Sequence, residues 1–152
     1  MSSTDEVARW APRLGLGGLI PFIALSLAAW GPWPDWSALA VRAQVLYGVT
    51  ILTFVGALHW GFAFRAEPHR PSSMATSMIW SVVPSLYAWG VANLRPQWSL
   101  PLLALGLAVA WAVDRRLYPP LNLPHWFIRL RTWLTAGASA CLLLTWAAIR
   151  SA

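Results

Sequence analysis

The residues able to do chemistry here are a few polar side chains set inside apolar runs. His59 lies in YGVTILTFVGALHWG, residues 47–61, within an apolar run from Ala43 to Phe64. Asp114 closes a second run and is followed by Arg115 and Arg116. Arg131, Thr135 and Ser139 stand at i, i+4 and i+8, one stripe of a helix. An ionisable group in hydrocarbon is costly and must find a partner, so each is a candidate functional residue. An imidazole exchanges protons near neutral pH. A carboxylate relays protons, and a guanidinium holds an anion through fixed donors. Asp114 is expected to pair with Arg131, or with adjacent Arg115. For His59 the expected partner is a hydroxyl or carbonyl on a neighbouring helix, such as the Trp80 carbonyl that Pro84 leaves without its donor.

Plainer readings stand beside these. Asp114 with two following arginines also suits a helix end among headgroups. His59 also suits a buried hydrogen bond between helices, and the Arg131 stripe also suits helix packing. Several chemistries find no residues. One intramembrane histidine cannot supply paired axial haem ligands, and His69 and His125 fall in loops. No Cys/His spacing points to zinc, and no P-loop, GxSxG or HExxH motif is present. No cofactor is expected, and an enzyme is the less favoured reading. As a nucleophile near His59, only Ser81 offers itself.

The elements that must position these residues are membrane spans. The chain has 152 residues, 58% hydrophobic and 11% charged, a membrane composition with no room for a separate soluble domain. Twelve tryptophans suit the membrane interface, where an apolar ring meets water. A polar tail, 1–13, precedes one five-helix domain, 14–149, with spans at about 14–30, 43–64, 74–93, 98–117 and 132–149. Residues 31–41, with Pro32, Trp33, Pro34 and Trp36, read as a stiff interfacial turn. Residues 115–131 read as a segment lying along the interface. Leu94 to Gln97 is short enough to make spans three and four an antiparallel hairpin. Within the second span, Thr50, Thr53, Ala57 and Gly61 share one face, read as a small-residue packing face. His59 shares the opposite face with Gly48, Leu52 and Val55, leaving Tyr47, Phe54 and Leu58 for lipid.

All eleven basic residues are arginines. Eight of them fall on the side of the tail and the second and fourth loops, and three on the other. That asymmetry places the N-terminus in the cytoplasm and the C-terminus opposite. The positive charge therefore implies anchoring at a bilayer and gives no reason to expect nucleic acid.

The motifs YGVTILTFVGALHWG, WSVVPSL at 80–86, the aspartate ending span four and PHWFIRLRTWLT at 124–135 resemble the transmembrane protein 69-like family. LGLGGLIPF at 14–22 fits the same pattern. The family contains small multi-pass proteins of unknown function, bacterial with a mitochondrial relative. The resemblance implies a multi-pass protein of the bacterial inner membrane and transfers no functional residue. A looser likeness, in length, span number and tryptophan content, is to the tryptophan-rich sensory proteins, whose motif pattern is not found.

The expected function is non-enzymatic: binding of a small apolar or anionic molecule or lipid, or of a membrane-protein partner or second copy. The expected pocket lies in the inner half between spans two to five, lined by His59, Trp60, Trp80, Ser81, Asp114, Arg131 and Thr135. Two alternatives are a small proton-coupled transporter using His59 and Asp114, and a purely structural assembly factor.

Overall fold

A glycine and a proline break the first apolar run into two helices. The computed structural model describes residues 3–65, 71–117 and 123–151. Helix α1 is Ser3–Gly17 and α2 is Leu19–Ala29. Pro21 has no N–H to give the Gly17 carbonyl, and the helix ends at that carbonyl. The Gly18 N–H turns back to the carbonyls of Leu14 and Gly15, at 3.1 and 3.0 Å. The Tyr47 hydroxyl donates to the Gly18 carbonyl at 2.9 Å. Tyr47 therefore serves the break rather than facing lipid.

Helix α3, Pro34–Arg65, has 32 residues. At 1.5 Å per residue it runs about 48 Å, well beyond a hydrocarbon core of about 30 Å. The expected turn at 31–41 is thus corrected: residues from Pro34 onward are helical, and Ala40 and Val41 are already in the core. Proline in a first turn costs no hydrogen bond, and Asp35 suits the positive helix start, so this pair begins a helix.

Helix α4, Pro71–Ala92, and helix α5, Pro96–Leu117, form the expected hairpin. The Ser99 hydroxyl lies within 3.0–3.2 Å of the carbonyls of Val91, Leu94 and Arg95 at the turn. Pro101 leaves the Gln97 carbonyl without its helical donor, and the Trp146 indole donates to it at 2.9 Å. Helix α6 is His125–Ser151. The expected interfacial segment at 115–131 is corrected in part, because 125–131 are the opening turns of α6. No proline follows Pro124, and the Arg131 stripe simply continues backward. Tyr118-Pro119-Pro120, Glu67, His69 and Arg70 lie outside the described residues.

Helix α3 is central, packing on α2, α4, α5 and α6. Its face of Gly48, Leu52, Val55 and His59 is buried as expected, against leucines 103, 107 and 142 of the same core. The opposite stripe behaves differently. Thr50, Ala57 and Gly61 are exposed, and a Cβ at Gly61 would meet nothing within 4 Å. The close helix contact is made instead by Gly56, where a Cβ would stand 2.6 Å from the Ser81 carbonyl oxygen of α4.

Arg9–Ala29, Pro34–Gly61, Pro96–Leu117 and His125–Ser151 are long and apolar enough to cross a membrane. Helix α4 is 22 residues long and carries no charged side chain, with Ser77 and Ser81 turned inward. The bundle's exterior carries Ile20, Leu27, Phe54, Ile79, Leu86 and Leu105. Such a surface would aggregate in water and is at home in lipid.

The two glycines of α3 should respond in opposite ways to one methyl group. Gly56→Ala pushes α4 away and should lower thermal stability in detergent, by about 1–3 kcal/mol for an overpacked contact. Gly61→Ala should leave stability unchanged or raise it by up to about 1 kcal/mol, through helix propensity. Paired thermal melts of the two variants check this.

Candidate functional site

Three helices bring an imidazole, a carboxylate and a guanidinium into one line inside the bundle. His59 sits two turns before the end of α3, Asp114 one turn before the end of α5, and Arg131 two turns into α6. The antiparallel course of these helices puts all three at one level. His59 Nε2 lies 3.3 Å from Asp114 Oδ1. Arg131 Nε donates to Asp114 Oδ2 at 3.0 Å, and Arg131 Nη1 to Thr135 Oγ1 at 2.6 Å. His59 and Asp114 are fully buried, and Arg131 and Thr135 are 7% exposed.

The imidazole faces one carboxylate oxygen of Asp114 and the guanidinium donates to the other. The Asp114–Arg131 pair was the expected one. Arg115 turns outward instead, its guanidinium 5.0 Å from the Trp111 ring centre. For His59 the partner is the carboxylate, rather than the Trp80 carbonyl.

One Arg131 nitrogen remains. Nη2 is buried and has no hydrogen-bond partner among the described residues. Arg131 also lines a cavity of about 370 Å³ between α1, α2, α3 and α6. The wall is otherwise apolar, with Leu14, Phe22, Val55, Leu58, Leu107 and Leu134 prominent; Arg131 and Thr135 are its two polar side chains. A site that is mostly apolar with a few placed polar groups is the ordinary form of a small-molecule pocket, for which about 300–1,000 Å³ is typical.

Of the seven residues expected to line one pocket, the structure brings Arg131 and Thr135 to the wall and places His59 and Asp114 behind them. The other three lie elsewhere. Trp60 is 44% exposed on the outer side of α3. Ser81 is buried at the α3–α4 contact and donates to its own helix at the Met78 carbonyl, 2.6 Å away. Trp80 packs against the core and its buried Nε1 has no partner among the described residues. The cavity itself opens on the first span rather than on spans three and four. Leu14, Gly15, Gly18, Leu19 and Phe22 of that span form this part of the wall.

A second polar cluster at the other end of the bundle was missed in the sequence. The hydroxyls of Ser26 and Thr145 lie 2.9 Å apart, and both donate toward the Cys141 carbonyl at 2.7 and 3.0 Å. Gln44, fully buried, donates to the Phe22 carbonyl and to Ser26 Oγ, each at 3.3 Å. Gln44 stands at the edge of the apolar run containing His59, where a polar residue reads as a span end.

These features define a multi-pass α-helical membrane protein with a buried ion-paired cluster beside an apolar cavity. The chain belongs to the family described as protein of unknown function (DUF3429), whose model matches residues 7–147. It is 38% identical over 141 residues to transmembrane protein 69 of Xenopus tropicalis, covering 91% of this chain and 54% of that one. It is 28% identical over 133 residues to transmembrane protein 69 of Mus musculus, covering 86% and 52%. The chain thus spans about half the length of the curated relatives it matches. No solved structure matches. The resemblance read from the motifs is borne out at the level of the family.

The cluster yields a double-mutant test. Asp114→Asn leaves Arg131 buried without a counter-charge and should cost about 3–5 kcal/mol. Arg131→Met strands the carboxylate and should cost a similar amount. The double variant removes both charges and should be less destabilised than the sum of the two, by more than about 1 kcal/mol. Chemical unfolding in detergent gives all four values of the cycle.

Proposed function

We propose that this protein binds, without chemically converting it, a small molecule with an apolar body and a polar or anionic head. The body occupies the cavity between α1, α2, α3 and α6, and the head accepts a hydrogen bond from Arg131. One observation carries the reading. The guanidinium spends Nε on Asp114 and Nη1 on Thr135, yet its buried Nη2 has no hydrogen-bond partner among the described residues and stands beside an apolar cavity. An unsatisfied buried donor costs about 1–3 kcal/mol, and a ligand acceptor would recover that. Asp114 and His59 hold the guanidinium in place and do not touch the ligand. The absence of a carboxylate, thiol, imidazole or serine among the wall residues favours binding over catalysis.

The cavity size favours one chain or ring system over a two-chain lipid. Its polar end lies at the level where α3 and α5 end and α6 begins. By the arginine asymmetry this is the cytoplasmic half of a bacterial inner membrane, with the N-terminus inside. A head at that depth and a body reaching toward Phe22 suit a molecule drawn from the inner leaflet.

Two measurements follow. Small molecules released from protein purified in mild detergent should include a defined species by mass spectrometry. That species should be lost from Leu134→Trp, which fills the cavity without touching the ion pair, while the thermal transition stays in place. Bulk lipid alone in both samples would sink the pocket reading. For the orientation, Cys141→Ala is the background for single cysteines at Ser3 and Ser151. An impermeant maleimide added to intact cells should label Ser151→Cys and spare Ser3→Cys.

A further inference from the structure

Counting charge around Arg131 leads beyond the site itself. The buried cluster holds one carboxylate, one guanidinium and one imidazole. With the imidazole neutral, Asp114 and Arg131 cancel. An anionic head delivered to Arg131 Nη2 would then leave one uncompensated negative charge in a low-dielectric interior, which is strongly unfavourable. The cluster contains one group that can restore neutrality. His59 already touches Asp114 Oδ1 through Nε2, so a proton added at Nδ1 makes an imidazolium against the same carboxylate.

We infer that an anionic ligand enters this site together with one proton, taken up by His59. The inference rests on the reading of Arg131 as the ligand's anchor. In balance, one anion arrives from the membrane and one proton from water, no bond of the ligand is made or broken, and the cluster goes from formal charge zero to zero. Asp114 carries the coupling, because its two oxygens are shared between the proton-binding group and the ligand-binding group.

No other group can take over this role among the described residues around His59. Helix α2 carries no titratable residue. Helix α4 carries only Tyr87, whose hydroxyl is committed to the Leu102 carbonyl at 2.8 Å. From α5 the charged group facing His59 is Asp114, and Arg115 and Arg116 are exposed. From α6 it is Arg131, which is paired with Asp114 and also acts on the ring directly through its charge.

The test uses decanesulfonate, a single-chain anion that stays charged throughout, so that any proton bound belongs to the protein. Titration calorimetry of the detergent-purified full chain is run at about pH 7.5 in two buffers of different ionisation enthalpy. About one proton should be taken up per sulfonate bound. The apparent Kd should weaken up to about tenfold for each unit of rising pH, because the bound state holds the extra proton. Decanol, a neutral probe of the same length, should bind with no proton uptake. In His59→Gln the sulfonate should bind without a pH slope. Sulfonate binding with no proton uptake and a pH-independent Kd in the wild type overturns this inference and leaves the site standing. Failure of both probes to bind overturns the site, and the inference with it. The wild-type proton count decides the matter even where His59→Gln does not fold.

Discussion

The Asp114–Arg131 pair is the constraint on which the inner half of this bundle depends. Neither charge is tolerable alone at that depth, and the desolvation of each is repaid only by the other and by the hydrogen bonds around them. Three helices meet there: His59 of α3 stands 3.3 Å from one carboxylate oxygen, Arg131 of α6 donates to the other, and Thr135 holds the guanidinium one turn further on. A sliding of α3, α5 or α6 by one residue would move a side chain about 1.5 Å along the axis and turn it by about 100°. That is enough to break the set. Apolar packing in a membrane discriminates poorly between such registers, since lipid and leucine are alike. The polar set is what discriminates.

The opposite end is held by neutral groups. Gln44, Ser26, Thr145 and the Cys141 carbonyl tie α2, α3 and α6 together. Between the two polar layers the helices touch through glycine, with Gly56 under Ser81 and Gly106 under Tyr87 and Leu52. Prolines inside the helices are answered from neighbouring helices, as where Trp146 takes up the Gln97 carbonyl. The same economy explains Tyr47. A tyrosine in an apolar run looks like a lipid-facing residue, yet its hydroxyl serves the break that Pro21 and Gly18 impose on the first span.

Sequence pattern was sufficient for what hydropathy and charge determine: the helical membrane bundle, the antiparallel hairpin of α4 and α5, the level shared by His59, Asp114 and Arg131, and the pairing of the last two. Helical phase also placed His59 with Leu52 and Val55 on the inward face. It was insufficient where a choice between two neighbours mattered. The small-residue stripe of Thr50, Thr53, Ala57 and Gly61 has the spacing of a packing face, but only Thr53 is half-buried, and α4 docks on the Gly56 side instead. Trp60 and Trp80 were drawn toward the site by proximity in sequence and depth, and phase alone does not say which way a wide indole turns. Gln44 left almost no trace, because one amide at a run's edge looks the same whether the helix is ending or continuing inward.

The cavity follows from these packing choices rather than from any motif. Leu14 and Gly15 of α1 and Leu134 of α6 line it, and Arg131 stands at its edge because the ion pair fixes that side chain from behind. The division of labour is therefore spatial. His59 and Asp114, sealed from the cavity, set the charge and orientation of the guanidinium, while Arg131 and Thr135 present it. In the proposed binding mode a change to the sealed pair acts on a ligand through Arg131, and a change to the wall acts by shape. In that mode electrostatic and steric contributions are separated by which side of Arg131 is altered.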